Sequence, residues 1–400
     1  MSNHNLSIGL FGFGCVGQGL YDILNHAQGL PARIGKICVK DHFKKRSIDL
    51  SNFTFDRNEV LQRDDLNVVV ELINDSDDAL DIVTRALKSQ KSVVTANKKL
   101  LAEHFGTLYN LQRETGASLI YEGACGGSIP IIRNLEEYYD NELLCSLRAI
   151  VNGSCNYILT SMERDELTFG EALLKAQQLG FAEADPWLDV AGYDTKYKLC
   201  LLSIHSFGLL LKPEKILNLG IQNISAFDIA YARSRGLRIK LVAHAQKVGD
   251  KFRLYAIPHF IARDSKLYDV NYEYNAIEVE GAFSDKQFFV GKGAGSYPTG
   301  SAVLSDISAL RYGYKYEYKK LEKQFQLGGA APEEKLDTDF LLKVYIRYSD
   351  KAEIEPLAIN RTYEEYRSEE NSYIIADVEF SSLMSLSQDV AQKLFVCVVE

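Results

Sequence analysis

The residues of this chain best placed to do chemistry crowd into one short stretch. It comprises Glu183-Ala184-Asp185-Pro186-Trp187-Leu188-Asp189 and then Gly192-Tyr193-Asp194-Thr195-Lys196-Tyr197-Lys198. Four carboxylates fall within 12 residues, in a loop that leads into a helix. Asp194 and Lys198 are four apart, so on that helix they share a face and can pair. By itself such a pair is an ordinary surface ion pair of small value. In a loop dense with acids it also suits a substrate bearing an ammonium group. The seven histidines lie outside every motif-like block and no metal-ligand cluster is visible, which leaves acid–base chemistry to lysines and carboxylates. Trp187, the single tryptophan, reads either as a lining of this loop or as a simple hydrophobic anchor.

A second chemical feature is Gly12-Phe13-Gly14-Cys15-Val16-Gly17, a G-x-G-x-x-G between a strand-like run and a helical one. Gly12 permits a tight turn, Gly14 lets backbone approach a pyrophosphate, and Gly17 lets helix and strand pack closely. The helix amino terminus then faces the negative charge. Which dinucleotide binds depends on the end of the second strand, where Val39 is followed by Lys40, Asp41 and Lys44-Lys45-Arg46. An acid there bonds the ribose 2′-hydroxyl of NAD, whereas a cation pairs with the 2′-phosphate of NADP. Lys40 comes first, so the reading leans to NADP; the other reading of this run is a solvated charged loop.

These groups need a scaffold, and the pattern supplies one. Leu6 to Phe11, Ile34 to Val39, Asn67 to Ile73, Ser92 to Ala96 and Ala117 to Tyr121 read as strands. Helical patterns separate them, from Val16 onward, over Asp77 to Ser89 and over Lys98 to Glu114. The continuous apolar run NVVVELI suits a strand buried on both faces of a parallel sheet. Alternation of this kind describes a doubly wound α/β domain. After about Gly126 the rhythm changes. Ile129 to Tyr139 looks helical, Leu147 to Val151 is a strand, Phe169 to Leu179 is a helix closed by Gly180, and a long helix begins near Asp194. Strand-like runs follow at Phe252 to Ile261, Ala276 to Ala282 and Gln287 to Val290, before a Gly-rich turn, Gly291 to Gly295. The tail predicts strands at Phe340 to Tyr348, Tyr373 to Phe380 and Phe395 to Val399, with one helix over Ser382 to Leu394.

The bulk numbers exclude several classes. With 46% hydrophobic and 25% charged residues and a net charge of −9, the chain reads as an ordinary enzyme rather than a nucleic-acid binder, which needs a concentrated basic surface. Its longest apolar stretch, Cys200 to Leu211, is interrupted by Ser203, His205 and Ser206 and is too short to span a bilayer. Seven cysteines without a C-x-x-C pair argue against a disulfide framework or structural zinc. The amino terminus, Met1 to Asn5, lacks the charged leader and apolar core of a signal peptide, so a cytoplasmic location is expected.

Six blocks carry a resemblance: GFGCVGQG at the amino terminus, VVTANK at 93–98, EGACGGSIPII at 122–132, NGSCNYIL at 152–159, LGFAEADPWLDVAGYDTKYK at 179–198 and GAGSYPTGSAVLSDI at 293–307. In that order they resemble the successive signatures of homoserine dehydrogenases. The resemblance implies reversible NAD(P)H-dependent reduction of L-aspartate 4-semialdehyde to L-homoserine, a step of threonine, methionine and isoleucine synthesis. It makes Lys198 the principal acid/base, with Asp194 positioning it and Lys98 as a second catalytic or binding lysine. Glu183 and Asp189, with Lys98, would hold the substrate. The cofactor would lie against Gly12, Phe13, Gly14, Cys15, Val16, Gly17, Lys40, Lys98, Ser154 and Gly295. The family also places a monovalent cation such as Na+ on carbonyl oxygens matching Glu122, Cys125, Gly127 and Ile129. A homodimer is implied as well.

Two departures stand out. Asn74-Asp75 replaces the usual Gly pair after VVVELI, and Ser154 stands where Thr is usual. Cys125 and Cys155 sit inside motif blocks, but a thiol nucleophile needs an adjacent base, and packing roles fit them better. The expected fold class is α/β: a Rossmann-type dinucleotide-binding domain over 1–128, completed by about 291–315, with an inserted α+β catalytic and dimerisation domain over 129–290. A small accessory module over 316–400 completes the chain. Many members of the family end in an ACT-type regulatory module, and this tail reads either as a diverged one or as a packing segment.

Overall fold

The computed structural model describes residues 5–27, 29–140, 143–326, 331–368 and 370–400. Residues 1–4, part of the amino-terminal stretch read above, lie outside the described residues. The chain divides into two compact units. The first comprises Met1–Asp140, Ile204–Leu210 and Lys292–Lys323; the second comprises Asn141–Ser203, Leu211–Gly291 and Gln324–Glu400.

In the first unit the strands are β1 (Leu6–Phe11), β2 (Ala32–Cys38), β3 (Phe53–Thr54), β4 (Val68–Glu71), β5 (Ser92–Thr95) and β6 (Leu119–Ile120). They form one parallel sheet in the order β3-β2-β1-β4-β5-β6. Val68, Val69 and Val70 are all buried, as a strand covered on both faces requires. Helices α1 (Cys15–His26), α2 (Ser76–Lys88) and α3 (Lys98–Thr115) connect the strands. The order reverses between β1 and β4, and ligands of doubly wound sheets bind beyond the strand ends at such a switch. A helix at Ser296–Leu310 rejoins this unit and packs along α1. Where Ile129 to Tyr139 reads as one helix, a single turn at Ile131–Arg133 widens into a π-type turn over Asn134–Tyr138. There the Asn134 side chain turns back to donate to the Pro130 carbonyl.

The second unit is built on one large sheet. Its strands are β7 (Leu144–Ile150), β8 (Leu217–Asn218), β9 (Arg238–Val248), β10 (Lys251–Ile261), β11 (Tyr274–Gly281), β12 (Asp285–Lys292), β13 (Leu341–Tyr348), β14 (Ile359–Tyr366), β15 (Ser372–Glu379) and β16 (Phe395–Val399). The order is β12-β11-β7-β9-β10-β16-β13-β15-β14, with β8 beside β10. Helices α4 (Gly153–Arg164), α5 (Tyr193–Phe207) and α6 (Ala226–Ser234) accompany the sheet, and α5 carries residues 193–198. Helix α5 stops where Gly208 adopts φ +69°; a Cβ there would lie 2.4 Å from the Lys320 carbonyl oxygen.

The tail continues this sheet. Its four strands lie in the order fourth-first-third-second, all antiparallel, which is the split βαββαβ arrangement. Its first helix is reduced to Lys351–Glu353. The helix expected over 382–394 is two short ones, Phe380–Met384 and Gln388–Ala391, because Ser387 caps a new start by accepting from the Val390 amide. Strand β16 pairs in parallel with β10, His259 with Val398 and Phe260 with Val399. Inside this junction the Arg347 Nε donates to Asp228 Oδ1 at 2.9 Å and Oδ2 at 3.0 Å, and the Tyr345 hydroxyl donates to the same carboxylate. Asp228 is fully buried. Arg347→Ala should destabilise the chain by about 3–5 kcal/mol, the cost of leaving a buried charge without its partner. Denaturant unfolding reads this; an unchanged midpoint would show that the tail is held without the pair.

Candidate functional site

The glycine turn is shaped by close contacts that no side chain could tolerate. Gly12 takes φ +93°, and a Cβ on it would lie 2.4 Å from the Leu72 carbonyl oxygen. A Cβ at Gly17 would lie 2.5 Å from the Gly12 carbonyl oxygen. At Gly14, in contrast, a Cβ would meet nothing within 4 Å, so this side of the turn is open where a pyrophosphate would pass. Gly14 caps α1 without a side chain, leaving the first amides of the helix to an anion. Beside it Gly295, at φ +119°, starts the helix Ser296–Leu310, and the Ser296 hydroxyl donates to the Cys15 carbonyl at 2.6 Å. Two helix amino termini therefore meet at this turn. Phe13 is buried against Tyr21 and Phe53, Cys15 is exposed and Val16 half-buried.

A cleft of about 500 Å³ opens at the turn, lined by Gly12, Phe13, Gly14 and the β2 end, with Lys40, Asp41, Lys44, Arg46 and Arg57 around it. The Asp41 carboxylate accepts from the amides of Phe43 (2.8 Å) and Lys44 (3.1 Å), which holds it below the usual carboxylate range and engages it in its own turn. Lys40 lies in the open, 3.6 Å from Asp78. Asn74 and Asp75 line the same cleft. Asp75 serves as the cap of α2, accepting from the amides of Asp77 and Asp78. The loop before it is pinned by Glu71, whose carboxylate accepts from the Ile73 amide (2.7 Å) and the Thr95 hydroxyl (2.5 Å). Burial lifts the Glu71 carboxyl to about 7. Asn97 donates to the Ile73 carbonyl and caps α3 through Leu100, so Lys98, the half-buried first residue of α3, starts from a fixed point.

The lysine–carboxylate set belongs to the second unit. Lys198 Nζ donates to Asp194 Oδ2 and to the Val151 carbonyl, each at 2.7 Å. The pair is nearly enclosed, with side chains 10% and 3% exposed, so it is no ordinary surface bridge. Asn152 joins the set: its Nδ2 donates to Asp189 Oδ1 (2.7 Å) and to Asp194 Oδ2 (2.8 Å). The NGSCN block is visible in sequence, but only Ser154 suggests itself there as functional. An Asn just before a helix reads as a cap, and that was the signal available for Asn152. The Ser154 hydroxyl donates to the Phe181 carbonyl at 2.5 Å. Glu183 is exposed, and its own carbonyl accepts from Gln177. Trp187 is 40% exposed at the start of a short turn, which does not fit a buried anchor.

Cys155 is fully buried and its Sγ donates to the Asp189 carbonyl at 3.2 Å. Burial, then the neighbouring Asp189 and Asp194 charges, push its thiol well up, the opposite of what a nucleophile needs. All seven cysteines are free.

At 122–129 the chain makes a tight turn. A Cβ on Gly126 would lie 2.7 Å from the Ile129 carbonyl oxygen, and Gly127, at φ +67°, lies against the carbonyls of Lys292 and Gly293. Cys125 is buried. The Glu122 carboxylate accepts from the amides of Ile132 (2.8 Å) and Arg133 (3.0 Å), and burial raises its pKa. The carbonyls of Glu122 and Ile129 accept from the amides of Cys125 and Ile131. Among the described residues no group of three or more His, Cys, Asp or Glu side chains could hold a metal, and no helix is long and apolar enough to cross a membrane.

A parallel sheet with this glycine turn is the architecture of a dinucleotide-binding unit, and with a buried lysine–carboxylate pair in the second unit the chain fits the class of NAD(P)-dependent oxidoreductases. Models of the homoserine dehydrogenase NAD binding domain and of homoserine dehydrogenase match residues 12–122 and 130–308. The homoserine dehydrogenase of Bacillus subtilis is 36% identical over 314 residues, 76% of this chain and 72% of that protein. The chain belongs to the homoserine dehydrogenase family. That of Synechocystis is 37% identical over 76% of this chain and 72% of its own. Among solved structures, a homoserine dehydrogenase from Thiobacillus denitrificans aligns with TM-score 0.80 and 25% identity, covering 99% of this chain and 98% of that one. A hyperthermophilic archaeal homoserine dehydrogenase in complex with NADPH aligns with TM-score 0.66 and 28% identity, over 78% of this chain and 99% of that one.

Gly12→Ala should abolish dinucleotide binding, because the new Cβ would collide with the Leu72 carbonyl at a positive φ. Titration of the variant with NADPH, followed by nicotinamide fluorescence, checks this. Wild-type affinity would mean that the turn is not the pyrophosphate site.

Proposed function

We propose that this homoserine dehydrogenase uses Lys198 as its proton donor and acceptor, with NADP as the preferred cofactor. The observation that carries the first part is the enclosure of the Lys198 ammonium between Asp194 and the Val151 carbonyl. When bound, the cofactor supplies or takes the hydride at the carbon bearing the reacting oxygen. As aspartate semialdehyde is reduced, Lys198 Nζ delivers a proton to that oxygen; in homoserine oxidation the neutral amine accepts it. Asp194 holds Nζ in place, and Lys98 acts as the second lysine on the cofactor side. Asp189 and Glu183 receive the amino-acid end of the substrate, an ammonium that a pair of acids attracts.

Gly12, Phe13, Gly14, Cys15, Val16, Gly17 and Gly295 would hold the pyrophosphate segment, with Ser154 and Lys98 nearer the reacting end. The preference for NADP is supported by Asp41, whose carboxylate is occupied by its own turn, and by Lys40 among the cations of the cleft. The NADPH carried by the archaeal relative agrees with it. A monovalent cation such as Na+ would sit on the carbonyls of Glu122, Cys125, Gly127 and Ile129, ordering the turn rather than taking part in proton transfer.

We read the tail as a diverged ACT-like module fused into the sheet, on the strength of its strand order. A homodimer is supported by β12, an edge strand that leaves Val290 exposed beyond a hairpin tip where Phe283 is 86% exposed. The free cysteines suit the reducing cytoplasm.

Lys198→Ala should lower kcat for homoserine oxidation by about 10²-fold or more, the usual contribution of a positioned acid–base group. Steady-state assays with NADP and NAD in parallel check both parts. Lys40→Ala should raise KM for NADP and leave KM for NAD unchanged. Activity retained by Lys198→Ala would overturn the acid–base assignment, and dominant NAD use by the parent enzyme would overturn the cofactor preference.

A further inference from the structure

Asn152 does two things with the two ends of one amide. Its Oδ1 accepts from the Cys155 amide at 2.7 Å, which caps α4. Its Nδ2 donates to Asp189 and Asp194, and Asp194 Oδ2 is the same oxygen that accepts from Lys198 Nζ. The residue is 3% exposed and sits just past the end of β7, next to Val151, whose carbonyl is the second acceptor of Lys198. One dipeptide therefore contacts the lysine, its carboxylate partner and the carboxylate on the substrate side.

Capping alone does not require an asparagine. Ser, Thr and Asp offer the same kind of acceptor at a helix start. None of them in its ordinary charge state can donate two N–H bonds at once; only the amide nitrogen does. Two carboxylates brought to one nitrogen repel each other, and that repulsion favours protonating one of them or letting one swing away. The charged and titratable groups facing the set include Lys198 and Asp194 on α5, Asp189 on the turn before it, and the protonated Cys155 thiol on α4. The chain just past β7 contributes the backbone carbonyl of Val151.

We propose that Asn152 is a positioning residue for the reaction: its amide holds Asp194 against Lys198 and Asp189 towards the substrate, keeping both carboxylates in place. This rests on Lys198 being the acid–base group. Removing the donor lets Asp189 drift, which weakens the hold on the substrate ammonium. It also leaves Asp194 less constrained, so Lys198 presents its proton in a less productive position.

Asn152→Ser and Asn152→Asp separate positioning from capping, since both keep a cap acceptor and lose the donor. In both variants kcat for homoserine oxidation should fall about tenfold or more, a loss of about 1.4 kcal/mol, and KM for homoserine should rise. Asn152→Ser should melt close to the parent, whereas the third buried carboxylate of Asn152→Asp lowers the melting temperature. The pH profile of kcat in homoserine oxidation should also depart from the parent's in Asn152→Asp, a readout that capping alone would not move. Asn152→Ala should lose both stability and rate. Parent-like kcat, KM and pH profile in the Ser and Asp variants would confine Asn152 to capping and overturn the proposal. Lys198→Ala assayed alongside keeps the two readings apart. An inactive Lys198→Ala with parent-like Asn152 variants overturns only the role of Asn152, whereas an active Lys198→Ala overturns the acid–base reading on which it rests.

Discussion

An ammonium group that is almost wholly enclosed has to meet oxygen atoms in place of water, and much of the second unit is arranged around meeting Lys198. Stripping a charge of water costs several kcal/mol, and only well-placed acceptors offset it. Helix α5 brings Asp194 one turn before the lysine, and the end of β7 brings the Val151 carbonyl. Asp194 in turn needs more than the lysine to satisfy its lone pairs, and Asn152 supplies a second donor while tying in Asp189. Strand end, helix start and acidic loop are thus mutually dependent.

The first unit solves a different problem with different means. An anion bound at a glycine turn is met mainly by backbone amides, so its demands fall on positions where side chains must be absent. Gly12 and Gly17 are excluded from carrying a Cβ by carbonyl oxygens, and Gly14 is left open. Around this turn the loops are fastened by buried polar groups. Glu71 holds the Ile73 amide and the Thr95 hydroxyl, and Asn97 ties the same loop to the start of α3, where Lys98 stands. The Asn74-Asp75 pair fits here because Asp75 caps α2 through the amides of Asp77 and Asp78.

The tail is bound into the second unit by polar contacts as well as by sheet pairing. Asn223 donates to the carbonyls of Gln392 and Leu394, and its own carbonyl accepts from Arg347 on β13, which pairs with Asp228 on α6. Two residues before Asn223, the Ile221 amide donates to the Val190 carbonyl at 2.7 Å, next to Asp189. A short segment therefore touches the tail on one side and the acidic loop on the other. Such contiguity is a physical connection; coupling through it is a separate property that only paired mutations measure.

The sequence alone determined the parallel sheet and its glycine turn, because both rest on local rules: continuous apolar strands, helical periodicity and glycines at set spacing. It also determined the Asp194–Lys198 pair, since four residues on a helix define a shared face. The tail's single helix over 382–394 was misread because a serine cap inside an apolar pattern restarts the helix without breaking its period. Strands β9 and β14 were missed although each pairs with the next strand in sequence, β9 with β10 and β14 with β15; β14 is an edge strand whose mostly exposed polar residues carry no apolar alternation to read. Only the tertiary structure decided what kind of pair Asp194 and Lys198 form. Asn152 stands 37 and 42 residues from the two carboxylates it joins, and Val151 lies 47 residues from the lysine. Periodicity reports which side of a helix is covered. It does not report which distant donor covers it, and that choice turns an ordinary ion pair into an enclosed one.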